Sequence, residues 1–195
     1  MDNSIGFPSL KPLASWVQDL VDRIEFIQDW VCNGPPLTFW ISTFFFPQGF
    51  MTATMQTFAR ATGKPIDTLA FTTHVLDHGK DEVTERPEIG IYMHGLYMQG
   101  AKWDLSKKCV EDSDPKVPLI DFPVIWLEPV EWNPTMELSP SENFECPLYK
   151  TSARKGELST TGHSTNFVIM LNLASKIHQD YWIRRGTALL CMTDT

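Results

Sequence analysis

The protein has 195 residues and a mass of 22.2 kDa, enough for one large or two small domains with a sizeable core. With 43% hydrophobic and 21% charged residues its composition is that of a globular protein, which excludes wholesale disorder. The formal charge of −8 weighs against nucleic acid or an anionic membrane as the main partner. That charge is uneven. Residues 104–145 hold 10 acids against 3 bases, and residues 146–195 hold 6 bases against 3 acids. The basic final quarter is either a solvated face or a surface for an acidic partner.

Cys32, Cys109, Cys146 and Cys191 are scattered without a CxxC pair, so reduced and mostly buried thiols are expected. The opening Met1-Asp2-Asn3-Ser4 lacks the basic and apolar regions of a signal peptide. The most apolar run, Leu37 to Phe46, is far shorter than the roughly 20 residues that cross a bilayer. A soluble protein of cytosolic type is expected.

In sequence order, Leu13, Trp16, Val17, Leu20, Ile24, Ile27 and Val31 recur at steps of three and four, which predicts an amphipathic helix. Val21, Phe26 and Trp30 widen its apolar stripe, so this helix should touch neighbours on two sides. Pro12 suits its first turn and Asn33-Gly34-Pro35-Pro36 ends it. Leu37 to Phe46 fits a short buried helix or a strand equally well. A second helix should start near Pro47 or Gln48 and stop at Gly63.

After Gly63 the period changes to two. Strands are predicted at Thr68–Val75, at Ile89–Met98 with glycine bends, and at Phe122–Leu127. Further strands are predicted at Pro147–Thr151, Asn166–Leu173 and Thr187–Met192. Proline- and serine-rich turns separate them. The predicted class is α+β, with helices over 1–62 followed by an antiparallel sheet or barrel over 63–195.

The search for chemistry yields little. Gly95 to Trp103 has phosphate-loop glycine spacing, but Lys102 comes one position late and Trp103 replaces the hydroxyl. His74 and His78 have the four-residue step of zinc ligands on a helix, yet His74 falls in a strand pattern. His163 and Ser164 are adjacent, which in an extended backbone aims their side chains to opposite faces. Two function classes outside a regulatory module stay open: a small-molecule-binding barrel around residues 90–104, and a metal hydrolase using His74, His78 and His94.

Four stretches carry a family resemblance. They are Phe39–Phe50, Gly90–Asp104, Cys146–Arg154 running on through Gly156 to Val168, and Trp182–Cys191. Together, and in this order, they resemble the C-terminal region of dynein heavy chains. The stretch Leu158–Val168 is similar to axonemal rather than cytoplasmic members. Thr43 and Ile89 depart from the family pattern, where a small and an acidic residue are common.

The resemblance implies helices followed by an incomplete antiparallel β-barrel of about six strands, with Met1 an artificial start within that region. It implies a non-catalytic module, without cofactor or metal, that packs on the AAA+ motor ring and tunes ATP-driven movement. The implied partners are the ring modules of the same heavy chain and other dynein subunits, with no nucleic acid, membrane or direct microtubule contact. The implied place is the cytoskeleton of the ciliary or flagellar axoneme. Trp40, Phe44, Arg154, Lys155, Arg184 and Arg185 are the candidate ring-facing residues. The alternatives are core packing for the two aromatics and a solvated rim for the arginines.

Overall fold

The computed structural model describes residues 11–133, 142–154 and 166–193. Helix α1 spans Leu13–Asn33 and ends at Gly34, whose φ of +89° suits glycine and whose amide donates to the Trp30 carbonyl. The ambiguous apolar run resolves into both predicted forms in succession. Strand β1 (Thr38–Trp40) is followed by a single 3-10 turn, Ile41–Thr43. Helix α2 (Pro47–Thr62) begins with proline in its first turn and closes on left-handed Gly63, where the sequence places both ends.

Among the described residues eleven strands follow or flank these helices. Besides β1 they are β2 (Leu69–Val75), β3 (Ile91–His94), β4 (Leu96–Gln99), β5 (Lys102–Asp104) and β6 (Cys109–Glu111). Next come β7 (Leu119–Phe122), β8 (Ile125–Glu131), β9 (Asn143–Tyr149) and β10 (Phe167–Ala174). A short helix α3 (Gln179–Arg185) then leads into β11 (Ala188–Leu190). Sheet order is β1-β3-β8-β2 in one sheet, β10-β9-β11-β4-β7 in a second, and the pair β5-β6 in a third.

The α+β class is borne out, while the expected incomplete antiparallel β-barrel of about six strands is not seen as such among the described residues. The described strands form three open sheets, and two pairings are parallel, β1 with β3 and β11 with β9. The period-two signal detects a strand but carries no information about its partner or direction. Strands β1, β5 and β6 have three residues each, too short for any period to register. Strand β1 also joins the sheet from within the first 62 residues, as its register Thr38 to Tyr92 shows.

One core fills the space between the sheets. Met93, Ile125 and Leu127 of the first sheet and Phe144, Cys146, Leu148, Leu171, Leu173 and Leu189 of the second have no solvent exposure. Alternation along β8, with Ile125, Leu127 and Pro129 inward, is the half-buried strand pattern in plain form. Beside this core Trp182 is wholly buried, and its Nε1 donates to Ser175 Oγ at 2.8 Å. That hydroxyl in turn donates to the Ile177 carbonyl at 2.6 Å, so both of these buried polar groups are paired.

Tight backbone approach explains two glycines. A Cβ on Gly90 (φ +82°) would sit 2.2 Å from the Leu127 carbonyl oxygen. One on Gly95 (φ +75°) would sit 2.5 Å from the Trp40 indole. Gly95 thus lets β1 carry a large ring across the β3–β4 junction.

Candidate functional site

Helix α1 presents three faces, the aliphatic one the widest. The first holds the helix on the body. Trp30 meets Phe39, Phe44 and Phe50 edge-on, with ring centroids 5.2, 6.0 and 6.5 Å away. Phe26 meets Trp40 at 6.3 Å. Between these aromatics Arg23 is buried, donating to Asp19 at 2.7 Å and to the Met192 sulfur at 2.9 Å, with its guanidinium 5.7 Å from the Trp40 ring.

The second face is the apolar stripe, and it faces water. Leu13, Val17, Leu20, Val21, Ile24, Ile27 and Val31 are each between 40% and 80% exposed. The expected contact on two sides is therefore met on one side only among the described residues. Of the helix's own residues Arg23 alone is buried. An apolar strip of this length along 21 residues of helix is a surface of the kind that partners cover.

The third face is acidic. Asp22, Glu25 and Asp29 line a cleft of about 650 Å³ between α1, β1, β3 and the turn at Lys80–Glu82. Asp81 lies opposite, Phe26 and Trp40 form apolar walls, and Lys80 is the one cation among the described residues of its lining. His94 closes the cleft; its Nδ1 is cut off from solvent and has no hydrogen-bond partner among the described residues. Burial, helped by nearby Lys80, pushes the His94 pKa down to about 4, so the ring is neutral at physiological pH.

Of the described residues singled out in the sequence, Arg154 is brought to Gly186, next to Arg185, while Trp40 and Phe44 lie against α1 and α2. Trp40 and Phe44 are half-buried, and Phe44 stacks on Phe50 with centroids 4.2 Å apart. Their exposed neighbours are Phe45 and Phe46, with Lys150 lying 5.2 Å over the Phe45 ring. Arg154 is half-buried at a left-handed φ of +50°. Its guanidinium donates to the Gln99 side chain at 2.5 Å and to the Gly186 carbonyl at 2.6 Å, tying the loop after β9 to β4 and α3. Arg184 and Arg185 are exposed on α3, where Arg185 donates to Tyr181 at 3.1 Å and lies 3.7 Å from Asp112. Lys155, His163 and Ser164 lie outside the described residues.

The alternative chemistries find the following surroundings. Gly95 to Trp103 forms β4 and β5 rather than a loop leading into a helix. His74 Nε2 is 2.9 Å from Glu128 and its ring lies 4.7 Å from Trp126, while His78 pairs with Asp77. Among the described residues no group of three or more His, Cys, Asp or Glu is placed to hold a metal. An open groove of about 430 Å³ runs beside α2, lined by Met51, Met55, Phe71 and Met170 among others. The Thr52 hydroxyl on its wall is spent on the Gln48 carbonyl, so no polar group converges there among the described residues.

Reasoning from sequence misses the acidic cleft and the side of α1 that stays open. The width of the apolar stripe is the available signal for the latter. For the cleft the signal is the i, i+3, i+7 spacing of Asp22, Glu25 and Asp29, which puts three carboxylates on one helix face.

Residues 3–191 match the family model of the C-terminal domain of the dynein heavy chain. The sequence is 46% identical over 189 residues to dynein axonemal heavy chain 1 of Homo sapiens, spanning 97% of this protein and 4% of that one. It is likewise 46% identical to dynein axonemal heavy chain 12 of Rattus norvegicus, spanning 97% of this protein and 6% of that one. With dynein axonemal heavy chain 3 of Mus musculus the identity is 44% over 190 residues, or 97% and 4%. The 195 residues thus span only 4% to 6% of the length of these curated relatives.

Proposed function

The protein belongs to the family of C-terminal domains of dynein heavy chains, and we propose that it is a non-catalytic module packing on the AAA+ motor ring of an axonemal heavy chain. There it braces the ring and tunes the coupling of ATP turnover to microtubule movement. Its setting is the axoneme of cilia and flagella, as for the axonemal heavy chains it resembles.

One observation carries the docking part of this reading: the apolar stripe of α1 lies open along the whole helix. A stripe of seven aliphatic side chains at 40% to 80% exposure is unfavourable in water. Removing it from water contributes about 25 cal/mol for every Å² covered. A ring face supplies such a cover. Arg184, an exposed candidate with no ion pair among the described residues, then serves as a rim contact on α3.

The test mixes this protein with a motor ring lacking it and follows association and ATPase rate together. The expected result is saturable association with a changed rate. It should be lost in Ile24→Asp/Ile27→Asp and weakened in Arg184→Glu/Arg185→Glu. Absence of both association and rate change with the unaltered protein would overturn the reading.

A further inference from the structure

Helix α1 is moored to the body at two places that draw on different parts of the chain. Phe26 and Trp30 meet the rings of Phe39, Trp40, Phe44 and Phe50, all from the stretch that follows the helix. Nearer its start Arg23 is buried, and Trp16 and Asp19 on the same side are partly buried. Here the partner comes from far along the chain. Arg23 Nη2 donates to the Met192 sulfur at 2.9 Å, across 169 positions of sequence.

The backbone on either side makes Met192 a fixed point. The parallel pairing of β11 with β9, Leu189 to Leu148 and Leu190 to Tyr149, runs on past the end of β11. The Cys191 amide donates to the Tyr149 carbonyl at 2.9 Å, and the Met192 amide to the Lys150 carbonyl at 3.0 Å. Lys150 Nζ donates in turn to the Phe45 carbonyl at 2.9 Å. The segment is thus laced to β9 by its backbone, while the Met192 side chain, only 9% exposed, crosses to α1. We infer that residues 191–192 form a strap that holds the first half of α1, residues 13–23, on the body. When the strap opens, that half lifts while the half around Phe26 and Trp30 stays docked.

The chemistry of Arg23 gives the strap its leverage. A guanidinium taken out of water needs its donors met. Asp19 meets Nε at 2.7 Å, but it sits on α1 and moves with the helix. The Trp40 ring, 5.7 Å away, offers β1 a weaker hold through its face. The Met192 sulfur is what ties the guanidinium to the second sheet. A thioether is a polarizable packing partner and a weak acceptor, so the contact orders this part of the helix and still opens without unfolding the sheets. The strap is a property of the fold itself, separate from any docking to the ring.

The test compares amide hydrogen exchange in the unaltered protein, Met192→Ala and Met192→Leu, read segment by segment by mass spectrometry. In Met192→Ala, amides of residues 16–23 should exchange about tenfold faster, while those of residues 27–33 and of β8 and β9 change by less than about twofold. Met192→Leu keeps the bulk and loses the sulfur, and should speed residues 16–23 by about threefold. Trp30→Ala should do the reverse of Met192→Ala, speeding residues 27–33 more than residues 16–23. Unchanged exchange over residues 16–23 in Met192→Ala, equal acceleration along the whole helix, or full protection in Met192→Leu would overturn the strap. Should β8 and β9 also loosen in Met192→Ala, Arg23→Gln breaks the same contact from the helix side. Acceleration confined to residues 16–23 in that variant supports the strap, and loosening of the sheets there as well overturns it.

Discussion

The sheet body and helix α1 treat their apolar residues in opposite ways. In the body Phe144, Leu148, Leu171 and Leu189 are sealed by the facing sheet, whereas in α1 Ile24 and Val31 stand in water. Both regions carry strong hydrophobic periodicity in sequence. The difference is that the body is closed by its own strands, while α1 offers aromatic side chains to the body and aliphatic ones to something else. An amphipathic pattern therefore reports that a face is to be covered, and says nothing about what covers it.

The comparison breaks most visibly in stability. Trp182→Ala or Phe144→Ala should cost about 3–5 kcal/mol in urea unfolding, since each leaves a cavity in a packed interior. Ile24→Ala should cost about 0.5 kcal/mol or less, because that side chain is already half in water. A large loss at Ile24 would mean that the stripe is part of the core after all.

A second contrast sets two positive-φ glycines against each other. Gly90→Ala should cost roughly 3 kcal/mol or more, combining the wrong φ with a Cβ driven into the Leu127 carbonyl. Gly34→Ala, at the end of α1 with open space around it, should cost less, about 1–3 kcal/mol for the backbone conformation alone. Equal losses, measured by the same unfolding assay, would show that backbone approach in the body is looser than its geometry implies.

A third contrast concerns pH. His94 titrates near 6.5 when unfolded and at about 4 when folded, so within that window the unfolded state binds more protons. Stability should fall as pH drops through it. His94→Gln should flatten the slope of stability against pH between these values, and an unchanged slope would assign it to other groups.

Much of the fold was legible in sequence because the signals were local. Pro47 and Gly63 bracket α2, Asn33-Gly34 ends α1, and the alternation from Thr68 to Val75 marks β2 to within one residue. Less was legible where structure depends on distant partners. Nothing near Thr38 announces a parallel pairing with β3, and nothing near Arg154 announces that it will clamp Gln99 and Gly186. Helix α3 has only seven residues, so its one buried anchor, Trp182, reads as readily as part of a strand. Of the candidate contacts, Trp40 and Phe44 are largely engaged in packing α1 and α2 onto the body. The open aliphatic stripe beside them looks like core in sequence, because periodicity does not distinguish core from interface.

The most direct measurement uses the native thiols. Cys32 is exposed on α1, while Cys109, Cys146 and Cys191 are buried in the body and serve as internal references. Alkylation rates, read peptide by peptide by mass spectrometry, can be compared between the isolated protein and an intact heavy chain, together with an Ile24→Cys variant. If α1 is covered in the heavy chain, labelling at Cys32 and at position 24 should slow by about tenfold or more, while the three buried thiols stay slow in both. Unchanged fast labelling at position 24 in the intact heavy chain would contradict the account, because the stripe would then be open to water where its cover should be.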